Sequence, residues 1–173
     1  MCRLFWILSI VALPAMVLAA DDQTQEAATA VVAIKPGPED PKEMVKPGRI
    51  DKDAPREFTT TKSGLKYRIL RKSDQAKPME TDIVEVHYKG WLDDKTIFGS
   101  SYRSGNKISF PLIRVIQGWT EGMQLLGKGG MIELEIPPKL GYGATGKKGE
   151  VPPNARLHFI IELFSIRQEF KFL

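Results

Sequence analysis

Four stretches of this chain alternate apolar and polar residues with a period of two, and that pattern commits the part from about Phe58 onward to β-structure. Leu65, Tyr67 and Ile69 alternate with Lys66, Arg68 and Leu70; Val84, Val86 and Tyr88 alternate with Glu85, His87 and Lys89. Ile132, Leu134 and Ile136 alternate with Glu133 and Glu135; Leu157, Phe159, Ile161 and Leu163 alternate with His158, Ile160 and Glu162. Successive strand side chains point to opposite faces, so each stretch has one apolar face and one mostly polar face. That predicts an antiparallel sheet covered on one side only. The cover is predicted between Leu112 and Leu126, where Val115, Ile116, Trp119 and Met123 recur at helical spacing and Gly127 would stop the helix. Gly118 and Gly122 weaken such a helix by about 1 kcal/mol each relative to Ala, which points to a close approach of helix and sheet. The expected fold class is therefore α+β: a curved antiparallel sheet wrapped around one short helix.

The strands begin only near residue 57, and what precedes them divides in two. Met1-Cys2-Arg3 is short and positive, Leu4 to Leu18 is uncharged and apolar, and Ala19-Ala20 supplies small residues before Asp21 and Asp22. This is the anatomy of a signal peptide over 1–20, too short to favour the alternative of a membrane anchor. The sole cysteine, Cys2, would leave with it, so neither a disulfide nor thiol chemistry is expected in the mature chain. Residues 21–56 carry Pro36, Pro38, Pro41, Pro47 and Pro55 among closely mixed charges, and read as a disordered linker. The charge balance shifts at the same boundary, with eight acidic against six basic residues over 21–56 and thirteen against eighteen from 57 onward. The domain is thus expected over 57–168, with a short tail at 169–173.

Several chemistries are disfavoured. The net charge of +4 is spread over interspersed signs, with no basic stripe for nucleic acid. His87 and His158 fall at outward strand positions, as do Glu133 and Glu135, and all four read as solvated. Two separated histidines make no metal site, and Gly141-Tyr142-Gly143 lacks the context of a phosphate loop, so no metal or cofactor is expected. What remains is a set of rings: Tyr88, Phe98, Trp119, Tyr142 and Phe159, each at an inward strand position, on the helix face or in a Gly-flanked loop.

Four segments carry a resemblance. Val86-His87-Tyr88-Lys89-Gly90, Val115-Ile116-Gln117-Gly118-Trp119-Thr120-Glu121-Gly122, Leu140-Gly141-Tyr142-Gly143-Ala144-Thr145-Gly146 and Val151-Pro152-Pro153-Asn154-Ala155-Arg156-Leu157-His158-Phe159 resemble, in order and spacing, the FKBP-type peptidyl-prolyl cis-trans isomerases. The resemblance covers about Phe58 to Ile166. It implies a five- to six-stranded half-barrel around the helix, and an enzyme that speeds rotation about X-Pro bonds during folding of exported proteins. By motif position, Trp119 would floor the pocket, with Tyr88, Phe98, Val115, Ile116, Tyr142, Val151 and Phe159 as walls and Ile108 where an aromatic is common. The Ile116 amide and the Tyr142 hydroxyl would bond ligand carbonyls. The catalytic set is then Tyr88, Phe98, Ile116, Tyr142 and Phe159, and the substrate-binding set Val115, Trp119, Val151 and Ile108. Implied partners are proline-containing polypeptides and macrolide inhibitors, met by a monomer in the periplasm or outside the cell, away from the membrane once the signal is cleaved.

The rim departs from the pattern. Active members commonly have Asp directly after the Phe at position 98 and Arg a few residues on, paired at the pocket mouth; here Gly99 and Ser104 hold those positions. The resemblance therefore leaves a second reading open, a chaperone or binding module that grips proline segments with little turnover.

Overall fold

In the computed structural model, which describes residues 34–168, the alternating stretches form one open antiparallel sheet of seven strands. These are β1 (Thr59–Thr60), β2 (Lys66–Arg71), β3 (Ile83–Trp91), β4 (Ile97–Ser100), β5 (Ile108–Pro111), β6 (Met131–Ile136) and β7 (Leu157–Arg167). The order is β1-β2-β6-β7-β3-β4, with β5 also pairing β3. The long pairing of β3 with β7 sets the register at Val86↔Leu163, Tyr88↔Ile161 and Gly90↔Phe159. Every inward residue named from the alternation on β6 is fully buried. The signal peptide over 1–20, the first part of the expected linker and the tail at 169–173 lie outside the described residues. Among the described residues, no helix is long and apolar enough to cross a membrane.

The cover is shorter than the helical spacing predicts. Leu112–Arg114 forms a 3₁₀ turn, Val115 and Ile116 are extended, and the α-helix α1 runs only from Gln117 to Met123. Extended backbone at Val115 and Ile116 breaks the helical run, so the apolar spacing there serves a loop and a helix in turn. Seven residues cannot hold a helix unaided. Thr120 Oγ1 donates to the Leu112 carbonyl at 2.7 Å, and Gly118, Trp119, Gly122 and Met123 are buried against the sheet. The glycines permit that contact: a methyl at Gly118 would lie 2.5 Å from Ile136, and one at Gly122 would lie 2.8 Å from Leu134.

The outer face corrects two expectations. It is not solvated, and residues 34–56 are not a disordered linker. A second apolar cluster of Leu70, Trp91, Tyr102, Met131 and Ile160 lies there, with Ile34 and Ile50 packed on it. Leu70 and Ile160 are the apolar interruptions in the polar face of the alternation, and the preceding chain covers them. Beneath this segment Lys89 and Glu43 form an ion pair at 2.9 Å, each side chain 2% exposed. Glu162 accepts from the Gly48 amide, the Tyr102 hydroxyl and Arg71 at 2.7–2.9 Å. Arg103 meets Asp40 at 2.6 Å, and the Asp51 amide donates to the Leu70 carbonyl at 2.8 Å. Mixed charges that read as solvated are therefore partners of charges on the sheet.

His87, expected in solvent, is also buried; its ring stacks on Tyr102 at 4.9 Å and its Nδ1 is 2.9 Å from the Ser101 hydroxyl. Glu133, also expected in solvent, is buried and paired with Arg68 at 2.6 Å, where burial raises its pKa and Arg68 offsets part of the rise. Glu135 is partly exposed and pairs with Lys66 at 3.4 Å. His158 is half-buried, stacked on Trp91 and 2.7 Å from Asp93.

Two outcomes follow from this packing. Gly118→Ala should lower the thermal midpoint despite alanine's better helix propensity, because the methyl collides with Ile136; a rise in midpoint would refute the close approach. Burial, partly opposed by Glu162, lowers the His87 pKa below its ordinary 6.5. A pKa depressed on folding adds stability that is full above the unfolded value and is lost as pH falls through the folded one. Unfolding free energy should therefore decline below about pH 6.5. In His87→Gln the part of that decline due to His87 should vanish.

Candidate functional site

Where the outer face is sealed, the inner face leaves an opening. Trp119, 4% exposed, projects from α1 against the sheet and is ringed by aromatic side chains from three strands. Tyr88 of β3, Phe110 of β5 and Phe159 of β7 each meet its indole edge-on, with centroids 5.4, 5.5 and 5.3 Å away. Phe98 of β4 extends the ring by an edge contact with Phe159 at 5.4 Å. Gly90 makes room for this, since a methyl there would lie 2.5 Å from Phe159 and 2.7 Å from Phe98. Edge-to-face geometry matches the positive ring edge to the negative face, so the aromatic wall is fixed as well as apolar.

The rings border a cavity of about 280 Å³, closed by Arg114, Val115 and Ile116 ahead of α1 and by Tyr142, Lys147 and Glu150 on the loop between β6 and β7. Its polar groups are few. Ile116 caps α1, and its carbonyl accepts from the Trp119 and Thr120 amides. Its own amide donates to no other described residue, and neither the Tyr88 nor the Tyr142 hydroxyl has a hydrogen-bond partner among them. Burial raises the Tyr88 pKa, with Lys147 opposing, so this hydroxyl stays protonated at neutral pH. At the mouth Lys147 pairs with Glu150 at 2.7 Å; Arg114 stands exposed. Gly99 lies close against Tyr88, where a methyl would come within 3.3 Å of the hydroxyl oxygen. Among the described residues no three His, Cys, Asp or Glu side chains group closely enough to hold a metal ion.

Seven of the nine residues singled out from the sequence line this cavity: Tyr88, Phe98, Val115, Ile116, Trp119, Tyr142 and Phe159. Val151 and Ile108 do not. Val151 is 5% exposed within the main core, and its backbone bonds twice to Lys147, so it anchors the turn that carries Lys147 and Glu150. Ile108 sits on β5 opposite Val86 and is only partly buried, away from the lining. The wall on β5 is Phe110, two residues further on the same face; the period-two rule applied from Ile108 would have found it. Arg114 was also missed, and an arginine in a short turn carries no pattern that marks it.

An open antiparallel sheet clasping one short helix over an aromatic pocket defines a class, and the chain belongs to it: residues 74–164 match the FKBP-type peptidyl-prolyl cis-trans isomerase family. It is similar to the isomerase FkpA of Aeromonas hydrophila, 47% identical over 109 residues, which are 63% of this chain and 40% of the relative. Among solved structures it resembles FkpA from Escherichia coli, with a TM-score of 0.63 and 40% identity over 66% of this chain and 53% of that one. It also resembles AtFKBP13, with a TM-score of 0.58 and 31% identity over 63% of this chain and 98% of that one. The chain thus spans about two-fifths to half of the FkpA proteins it matches.

The pocket's two kinds of residue should separate on substitution. Trp119→Ala should cost about 3–5 kcal/mol of stability in denaturant unfolding, since the indole is the hub of the wall. Tyr142→Phe should change stability by less than about 0.5 kcal/mol, because the hydroxyl it removes has no partner to lose. Equal losses in both variants would contradict this division.

Proposed function

We propose that this chain accelerates cis-trans isomerisation of X-Pro bonds in exported polypeptides. The observation that carries the reading is an apolar, aromatic-walled cavity in which the Ile116 amide and the Tyr88 and Tyr142 hydroxyls are free to donate. Peptide rotation faces a barrier of about 18–20 kcal/mol because amide resonance must be broken. X-Pro bonds populate both isomers but exchange over tens to hundreds of seconds. No covalent step is needed to hasten this. A prolyl ring seated against Trp119, with Phe98, Phe110 and Phe159 around it, leaves water. In that setting the charge-separated resonance form of the amide loses solvation and the twisted form does not. Ile116 N–H and Tyr142 Oη then hold flanking carbonyls in the geometry of the twisted bond, which is selective binding of the transition state. A reduction of about 4–5 kcal/mol would give over a thousandfold. The proposed catalytic residues are Tyr88, Phe98, Ile116, Tyr142 and Phe159, with Trp119, Val115 and Phe110 as the binding surface.

The apolar Leu4–Leu18 stretch supports export, to the periplasm or the medium. Proline-containing clients and macrolide inhibitors of the family are the proposed ligands. In a protease-coupled or NMR exchange assay on a short X-Pro peptide, the chain should exceed the spontaneous rate. Tyr142→Phe should lower kcat/KM by about tenfold, the effect of one lost transition-state hydrogen bond. A rate equal to the uncatalysed one would remove the enzyme reading.

Gly99 and Ser104 favour the second reading, a binding module with weak turnover. Ser104 is engaged locally, its hydroxyl donating to the Ser101 carbonyl at 3.1 Å, and Arg103 pairs with Asp40. A carboxylate at position 99 would reach the Tyr88 hydroxyl. Gly99→Asp combined with Ser104→Arg should raise kcat/KM if the open rim limits turnover; an unchanged rate would clear the rim of that role.

A further inference from the structure

The wall that carries Phe98 and Gly99 is the least supported part of the pocket. β4 is four residues long, lies at the end of the sheet, and pairs only with β3, across a register shift between Gly90 and Trp91. A short edge strand opens locally at low free-energy cost unless something holds it. Here the holding comes from residues 40–45, ahead of the sheet in sequence.

The grip is continuous along the chain that leaves β4. The Ser100 hydroxyl donates to Glu43 at 3.3 Å, and the Met44 and Val45 amides both donate to the Tyr102 carbonyl, at 3.0 and 3.3 Å. Arg103 Nε donates to the Asp40 carboxylate at 2.6 Å, whose other oxygen accepts the Lys42 amide at 3.0 Å. Between them Ser101 ties the loop to β3. Its hydroxyl accepts the Tyr88 amide at 2.9 Å and its amide donates to the Tyr88 carbonyl at 3.0 Å. Glu43 meanwhile is paired with Lys89, whose ammonium also reaches the Pro38 carbonyl. Lys89 stands opposite Ser100 in the β3–β4 register. Buried ion pairs add little net stability because desolvation offsets their attraction, but they penalise any other arrangement strongly. Their effect is to fix geometry.

We propose that residues 40–45 are a positioning strap for the pocket, with Asp40 and Glu43 as positioning residues. They act through the Ser100–Arg103 loop on Phe98, Gly99 and Tyr88. Arg103, which follows the rim loop, is thereby turned to the sheet's outer side and fastens the wall from behind. The proposal rests on the isomerase reading for its effect on rate, and on the contacts alone for its effect on order.

The test uses the full chain with Asp40→Asn, Arg103→Gln and the double variant, compared with wild type. Four quantities are read: kcat and KM on an X-Pro peptide, amide hydrogen exchange along residues 98–104, and affinity for the same peptide by intrinsic tryptophan fluorescence. Each single variant should lose about tenfold in kcat/KM, the scale of a displaced binding wall. Exchange should quicken at Ser101 and Tyr102 while β6 and β7 keep their protection. The double variant should lose no more than either single, since both remove one contact. Faster exchange with unchanged kcat/KM and affinity would overturn the proposal, as would equal loss of protection in β6 and β7. If wild type itself shows no turnover, the isomerase reading fails, and the strap is still judged by affinity and exchange.

Discussion

Everything in this fold depends on how near α1 lies to β6. The helix is seven residues long, too short to stand alone, and it carries two glycines on the face it buries. Those glycines let its backbone settle onto Ile136 and Leu134 at a distance no larger residue would allow. That approach sets the depth of Trp119, and Trp119 sets the positions of the rings from β3, β5 and β7 that touch it. The helix is poor by propensity and well placed by packing. A side chain at either glycine would collide with β6 and hold α1, and Trp119 with it, farther out.

The two faces of the sheet solve opposite problems. The outer face buries charges and satisfies them: Glu162 takes three donors, and Lys89 has both Glu43 and a carbonyl. The inner face buries apolar surface and, among the described residues, leaves donors open at Ile116, Tyr88 and Tyr142. Unsatisfied donors beside an apolar cavity cost stability unless water or a ligand supplies acceptors. An outer face whose buried charges are paired gives the rigidity against which an unpaired inner site can be kept.

The inner half of this arrangement was legible in the sequence because it obeys a short-range rule. Period-two alternation marked Val84, Val86, Tyr88, Leu134 and Phe159, and motif spacing added Trp119 and Tyr142. The outer half was not, for a physical reason. Asp40, Glu43 and Gly48 sit in a Pro-rich, mixed-charge stretch whose composition is that of a disordered chain. Their partners Arg103, Lys89 and Glu162 lie about 45–115 residues away, and long-range charge pairing has no period to detect. Leu70 and Ile160 were the local hint, being apolar where the alternation wants polar. Val151 and Ile108 hold motif positions without lining the cavity. One turns into the core as an anchor, and the other lies one pleat short of Phe110.

The mouth of the pocket shows how a change at one rim position is absorbed elsewhere. Gly99 offers the Tyr88 hydroxyl no acceptor, so that hydroxyl joins the groups without a hydrogen-bond partner among the described residues. Without an acid at position 99, a cation nearby would find no counter-charge across the opening, and Arg103 is instead neutralised by Asp40 on the far side of the wall. Lys147 and Glu150 neutralise each other on the facing loop. Among the described residues the mouth is thus nearly charge-balanced without an ion pair spanning it, and the exposed Arg114 at its edge has no acidic partner. Under the proposed isomerase reading, an X-Pro peptide would meet apolar walls and neutral donors there, and among the described residues no ion pair across the mouth would have to break first.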